Sequence, residues 1–178
     1  MRAVLISIQP KWCKLIADGK KTIEVRKTKP DIKAPFKVYI YCTCKLSSDN
    51  SWQYKPSLYR DSRGFVRWID VAFESIFKCE YLHQKIIGEF ICDNIEEFCT
   101  LEDDSIHDII DNSCLTIEDL SEYTRNKKAY GWHISNLIIY DKPRELSDFV
   151  GLRETKFGYE PVELIIPPQS WRYVRELE

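Results

Sequence analysis

Five stretches of this chain carry apolar residues in the short or alternating runs that strands use, and each is bounded by glycine, proline or a polar turn. VLISI (4–8) stops at Gln9-Pro10, TIEVRK (22–27) follows Gly19, and FKVYIYCTC (36–44) follows a loop from Pro30 to Pro35. KIIGEFICDNIEEF (85–98) contains Gly88, and YGWHISNLIIYD (130–141) is broken by Pro143. A period of two places Val38, Ile40, Cys42 and Cys44 on one strand face and Tyr39, Tyr41 and Thr43 on the other. Between the first two strands, PKWCKLIADG reads as an amphipathic helix opened by Pro10 and ended by Gly19, with Trp12, Leu15 and Ile16 at core spacing. Thr116 is a good N-cap for IEDLSEYTRN, although Asp119 stands where a capping box prefers Glu or Gln, and a short helix is expected around RELSDF. These elements predict an α+β chain: a small β-barrel of about five to six strands decorated by two to four helices.

The 178 residues suffice for one domain with its own core. Residues 45–82 read as an insertion, with a polar, loop-like first half and WIDVAFESIFKC as a short helix or strand; residues 93–128 read as an acidic helical segment. MRAVLISIQPKW has no small-residue cleavage site, and no apolar run approaches the roughly 20 residues a bilayer needs. The expectation is a cytoplasmic protein with no membrane partner. Seven cysteines, an odd number, read as reduced thiols used as small hydrophobes, Cys13 among them. Cys42, Cys44, Cys79 and His83 are four candidate zinc ligands, but the spacing is not that of a CxxC knuckle and Cys42 falls on a core-facing position. Neither a metal nor another cofactor is expected.

Net charge is −2, but its distribution is uneven. Residues 93–122 hold 11 of the 28 acidic residues and no Lys or Arg, leaving 26 basic against 17 acidic residues elsewhere. Residues 10–37 alone carry nine Lys/Arg against three Asp/Glu. Such segregation either attracts a polyanion to one face or leaves two solvated faces of opposite sign. The acidic stretch could also dock a basic protein partner.

The second strand concentrates the chemistry. Thr22, Glu24 and Arg26 share a face, while Ile23 and Val25 point the other way. Lys20 and Lys21 precede them at the glycine turn. Lys21 offers an ammonium to phosphate or carbonyl oxygen, Arg26 a planar fork for phosphate or a base edge, and Glu24 an acceptor between two cations. The alternative is a salt-bridge ladder with both lysines solvated. In WHIS (132–135), Trp132 and Ile134 point to one side, leaving His133 and Ser135 for a cleft or a structural role. Near the end, Gln169, Ser170 and Trp171 suit a base stacked on an indole, unless Trp171 closes the barrel.

The order SIQPKWCKLIADGKKTIEVRK, VYIYCTC, IIGEF, YGWHIS resembles the ASCH family, a PUA-like pseudobarrel found in RNA-binding and RNA-modifying proteins. Gly19, Lys21, Glu24 and Arg26 match that family's signature, over roughly residues 4–44 and 85–141. The resemblance implies a module binding RNA, single-stranded nucleic acid or a modified nucleoside. Lys20, Lys21, Glu24, Arg26, Tyr41, Thr43, His133, Ser135, Gln169, Ser170 and Trp171 are the candidate ligand-binding residues. Tyr41 or Trp171 would stack on the base, and Lys11, Lys14, Lys20 and Lys27 would meet phosphates. An enzyme is the alternative. A metal-independent ribonuclease would use Lys21, Glu24 and His133. The family's nucleoside amidohydrolases require a Thr three residues after the Lys, and Glu24 occupies that position.

Overall fold

The computed structural model describes residues 1–43, 55–60, 63, 66–71, 80–81, 84–99 and 106–177. Eight strands form one mixed sheet in the order β10-β9-β11-β1-β3-β7-β8-β2. They are β1 (Arg2–Ile8), β2 (Ile23–Arg26), β3 (Phe36–Cys42), β7 (Lys85–Phe98), β8 (Ala129–Arg144), β9 (Val150–Thr155), β10 (Gly158–Glu163) and β11 (Trp171–Arg175). Among the described strands only β1 and β3 run parallel, because the chain between them makes helix α1 (Pro10–Ala17) and β2 before returning. A separate three-stranded sheet, order β5-β4-β6, comes from β4 (Lys55–Arg60), β5 (Val66–Val71) and β6 (Glu80–Tyr81). The insertion therefore holds paired strands where its first half reads as loop.

The expected barrel of five to six strands is not what forms, although the mixed α+β character is. The ladder has two free ends, β10 and β2, and does not close. It does roll. In a flat sheet β2 would stand four strand spacings from β1, roughly 19 Å, yet the Arg26 guanidinium on β2 donates to Ser7 O on β1 at 2.7 Å. Side chains bridge the gap that backbone pairing would fill in a barrel, and this seam is where the candidate site lies.

Alternation sorts the core into layers. Val4, Ile6, Ile8, Val38, Ile40, Cys42, Phe90, Cys92 and Trp132 face inward with Cys13 and Ile16 of α1. Leu5, Tyr39, Tyr41 and Ile86 pack on the outer face with Phe149 and Leu164. A third cluster joins Ile23 and Val25 to helices α2 (Ile106–Ser113) and α3 (Ile117–Thr124) through Ile109 and Leu120. The acidic segment is thus partly strand, since β7 runs to Phe98, and partly two helices whose apolar faces cover β2. Thr116 caps α3, and Asp119 completes the capping box despite its short side chain. The helix expected around RELSDF is one 3₁₀ turn, Leu146–Asp148. Among the described residues no helix is long and apolar enough to cross a membrane.

Candidate nucleic-acid interface

Gly19 takes φ +71°, a left-handed conformation that ends α1 and lets Lys20 N and Lys21 N both donate to Leu15 O. The turn folds Lys21 inward. Its ammonium donates to Ile23 O at 2.8 Å and Ser113 O at 2.7 Å and lies 3.3 Å from Glu24 Oε2. Glu24 Oε1 accepts from Arg26 Nη2 at 2.8 Å, and Arg26 Nη1 lies 3.5 Å from Ser170 Oγ. Exposures of 2, 6 and 7% for Lys21, Glu24 and Arg26 make this a buried charge network, not a solvated ladder. Lys21 is therefore a fixed cation.

Above the network opens a cavity of about 500 Å³ in the seam between β2 and the end of β1. Ser7, Ile8, Thr43, Gln169 and Ser170 form one side, Gln9 and Trp12 of α1 another, and Leu115, Asp119 and Tyr123 of the α3 region a third. The loop carrying Gln169 and Ser170 is stitched to β1: Ser7 N donates to Ser170 O at 2.8 Å and the Ser7 hydroxyl to Pro168 O at 2.6 Å. Gln9 is the N-cap of α1, but its side chain makes no capping bond. Lys11 Nζ sits 4.3 Å from the Trp12 ring centre and Lys27 Nζ 4.8 Å from that of Tyr123, so each aromatic wall carries an ammonium. Burial raises the Tyr123 phenol above its ordinary value and the nearby Arg26 pulls it back, so it stays neutral through physiological pH.

The expected site residues separate. Lys21, Glu24, Arg26, Thr43, Gln169 and Ser170 meet at the cavity. His133 does not. It pairs with Ile23 across the β2–β8 ladder, whereas Glu24 pairs with Trp132, so His133 shares the face of Ile23 and not that of Glu24. Its Nε2 lies 3.5 Å from Glu96 Oε2. Ser135 donates to Ile91 O at 2.9 Å, tying β8 to β7. Tyr41 belongs to the outer-face cluster. Trp171 packs at 5.9 Å from the Trp132 ring and donates Nε1 to Thr28 Oγ1 at 3.0 Å, so it fills the roll. Lys20 is exposed on the turn, and Lys14 pairs with Asp18.

Cys13 is buried, with its thiol pushed well up by burial, which suits packing and not nucleophilic chemistry. Cys42 is buried in the inner core; Cys44, Cys79 and His83, the rest of the zinc candidate, lie outside the described residues. Among the described residues no group of three or more His, Cys, Asp or Glu is placed to hold a metal. The sequence reading missed Ser7, Gln9, Asp119 and Tyr123, and it took Trp12 for core. The one local signal was Gln9, an amide at an N-cap where Ser, Thr, Asp or Asn would bond to the helix.

No curated protein matches the chain. Among solved structures, the ASCH protein from Zymomonas mobilis is similar with 17% identity and a TM-score of 0.52, covering 98% of this chain and 88% of that one. Its tyrosine-to-phenylalanine variant gives 16% identity, 98% and 91% coverage and the same TM-score. At such identities the likeness concerns the fold. The family profile described as the ASCH domain matches residues 6–148, running through both the insertion and the acidic helices. With most of its length so matched, and with Gly19, Lys21, Glu24 and Arg26 building one buried network at the sheet seam, the chain belongs to the ASCH domain family.

Proposed function

We infer that the seam cavity binds one unstacked base of a single-stranded nucleic acid, RNA above all. The observation that carries this reading is a cavity of about 500 Å³ that joins a fixed Lys21–Glu24–Arg26 floor to two aromatic walls and two side-chain amides. That volume lies within the range of small-ligand sites, roughly 300–1,000 Å³. Trp12 and Tyr123 offer stacking surface, and Gln9 and Gln169 each offer a donor and an acceptor to a base edge. Lys11 and Lys27, on opposite aromatic walls, are placed to meet the phosphates flanking an inserted base. Nucleic-acid binding is also what ASCH membership suggests in general terms.

Binding is favoured over catalysis by how the charged groups are used. The Lys21 ammonium serves two carbonyls and a carboxylate, both Glu24 oxygens are engaged, and His133 stands on another face. The test is titration of short RNA and single-stranded DNA over a salt series. Tyr123→Ala should weaken binding by about 1–3 kcal/mol, the worth of one base stacked on an aromatic ring. Lys11→Ala with Lys27→Ala should flatten the salt slope by about 1.4, at about 0.7 for each phosphate contact on a single strand. Affinity indifferent to all three substitutions would remove the cavity from the account.

A further inference from the structure

β2 is the last strand of the eight-stranded ladder, so one of its backbone edges has no strand beside it. The pairing register tells which groups lie on that edge. Thr22 O accepts from Ile134 N at 2.9 Å, and antiparallel pairing alternates. Glu24 and Arg26 therefore turn their backbone groups toward β8, and Ile23 and Val25 turn theirs away, into the seam; Thr22 N, before the strand, donates instead to Asn112 O at 2.9 Å. The first outward residue is occupied by a side chain that also lines the cavity. Ile23 O accepts from Lys21 Nζ at 2.8 Å.

Val25 is the second outward residue of the strand. Its side chain packs with Ile23 against the helices, and the residue lines the cavity. Among the described residues nothing bonds to its outward N–H or C=O, although Val25 is only 5% exposed. A buried backbone donor and acceptor almost always find partners.

We propose that the partner is the ligand itself: a nucleobase enters edge-on, and the adjacent donor and acceptor of its Watson–Crick edge pair with Val25 C=O and N–H. The proposal rests on the base-binding reading above and adds which edge is read and by what. Each base carries a hydrogen-bond donor next to an acceptor on that edge, so the N–H and C=O of one extended residue, which point the same way, are chemically complementary to it. The window is one residue long, because Lys21 plugs the strand edge before Val25 and the strand ends at Arg26 after it. A flat base fits such a window. An extended peptide, which would add as a further strand, needs several outward residues in succession.

The experiment compares short oligoribonucleotides of each base with counterparts methylated on the ring nitrogen of the Watson–Crick edge, using isotope-labelled full-length protein. The expected result is that an unmodified oligomer binds, that its edge-methylated form binds at least about tenfold more weakly, and that the Val25 amide proton shifts downfield and becomes protected from exchange. Equal affinity for the methylated form, or a Val25 amide that does not respond to bound RNA, overturns the backbone readout and leaves the base-binding reading standing. Failure of every oligomer to bind overturns both. A short strand-forming Thr/Val peptide that shifts the Val25 amide in place of RNA overturns both as well.

Discussion

Glu24 holds two cations with its two oxygens, and removal of its charge tests whether the three groups form one unit. Burying an ion is costly unless its partner stays in place. Glu24→Gln leaves Lys21 and Arg26 buried without an anion, and should lower unfolding free energy in urea by roughly 3–5 kcal/mol. A loss below about 1 kcal/mol would mean that the pair is solvated as surface ion pairs are. Residue chemistry on β2 was legible from TIEVRK, because alternation alone separates Glu24 and Arg26 from Ile23 and Val25. The depth of the network was not. Burial of all three charges depends on Ser113 O and Ser7 O, which lie 92 and 19 residues from Lys21 and Arg26.

Elements in this chain are held by a few close approaches that side-chain volume would break. A Cβ on Gly88 would stand 2.3 Å from Ile138 O, a backbone atom of the paired strand, whereas one on Gly131 would meet side-chain ends, Ile109 Cδ1 at 2.9 Å and Ile23 Cγ2 at 3.0 Å. Gly88→Ala should therefore destabilise by about 3 kcal/mol or more and Gly131→Ala by about 1 kcal/mol, measured by thermal or urea unfolding. Thr116→Ala, which removes the side-chain half of the α3 capping box, should cost about 1 kcal/mol. The strands with a buried face, β1, β2, β3, β7 and β8, were readable because burial imposes a pattern. The β9–β10 hairpin was not, since its strands are mostly exposed and carry charges at irregular positions. Nor was the position of His133: alternation gave its face relative to Trp132, but only the β2–β8 register tells that this face is not that of Glu24.

For the whole molecule, the roll of an open sheet replaces the closed barrel expected from strand count, and the functional reading depends on the seam this leaves. The same roll buries titratable groups. Burial pushes the Cys92 thiol up to about 12 and raises Cys13, Tyr39 and Tyr123 above their ordinary values. For an acid whose folded value is raised, the unfolded chain releases its proton first. Stability is then complete below the ordinary thiol and phenol values and falls as pH rises past them. The urea midpoint should be flat on this account up to about pH 9 and decline steadily above it; a midpoint still flat near pH 11 would contradict the described burial. The most direct measurement of the central claim is a map of backbone amide shifts as a short single-stranded RNA is added. The account predicts perturbations at Ser7, Gln9, Trp12, Val25, Lys27, Thr43, Asp119, Tyr123 and Ser170, with the His133–Glu96 face unmoved; shifts centred on that face, or on the exposed side of α2 and α3 with the seam silent, would contradict it.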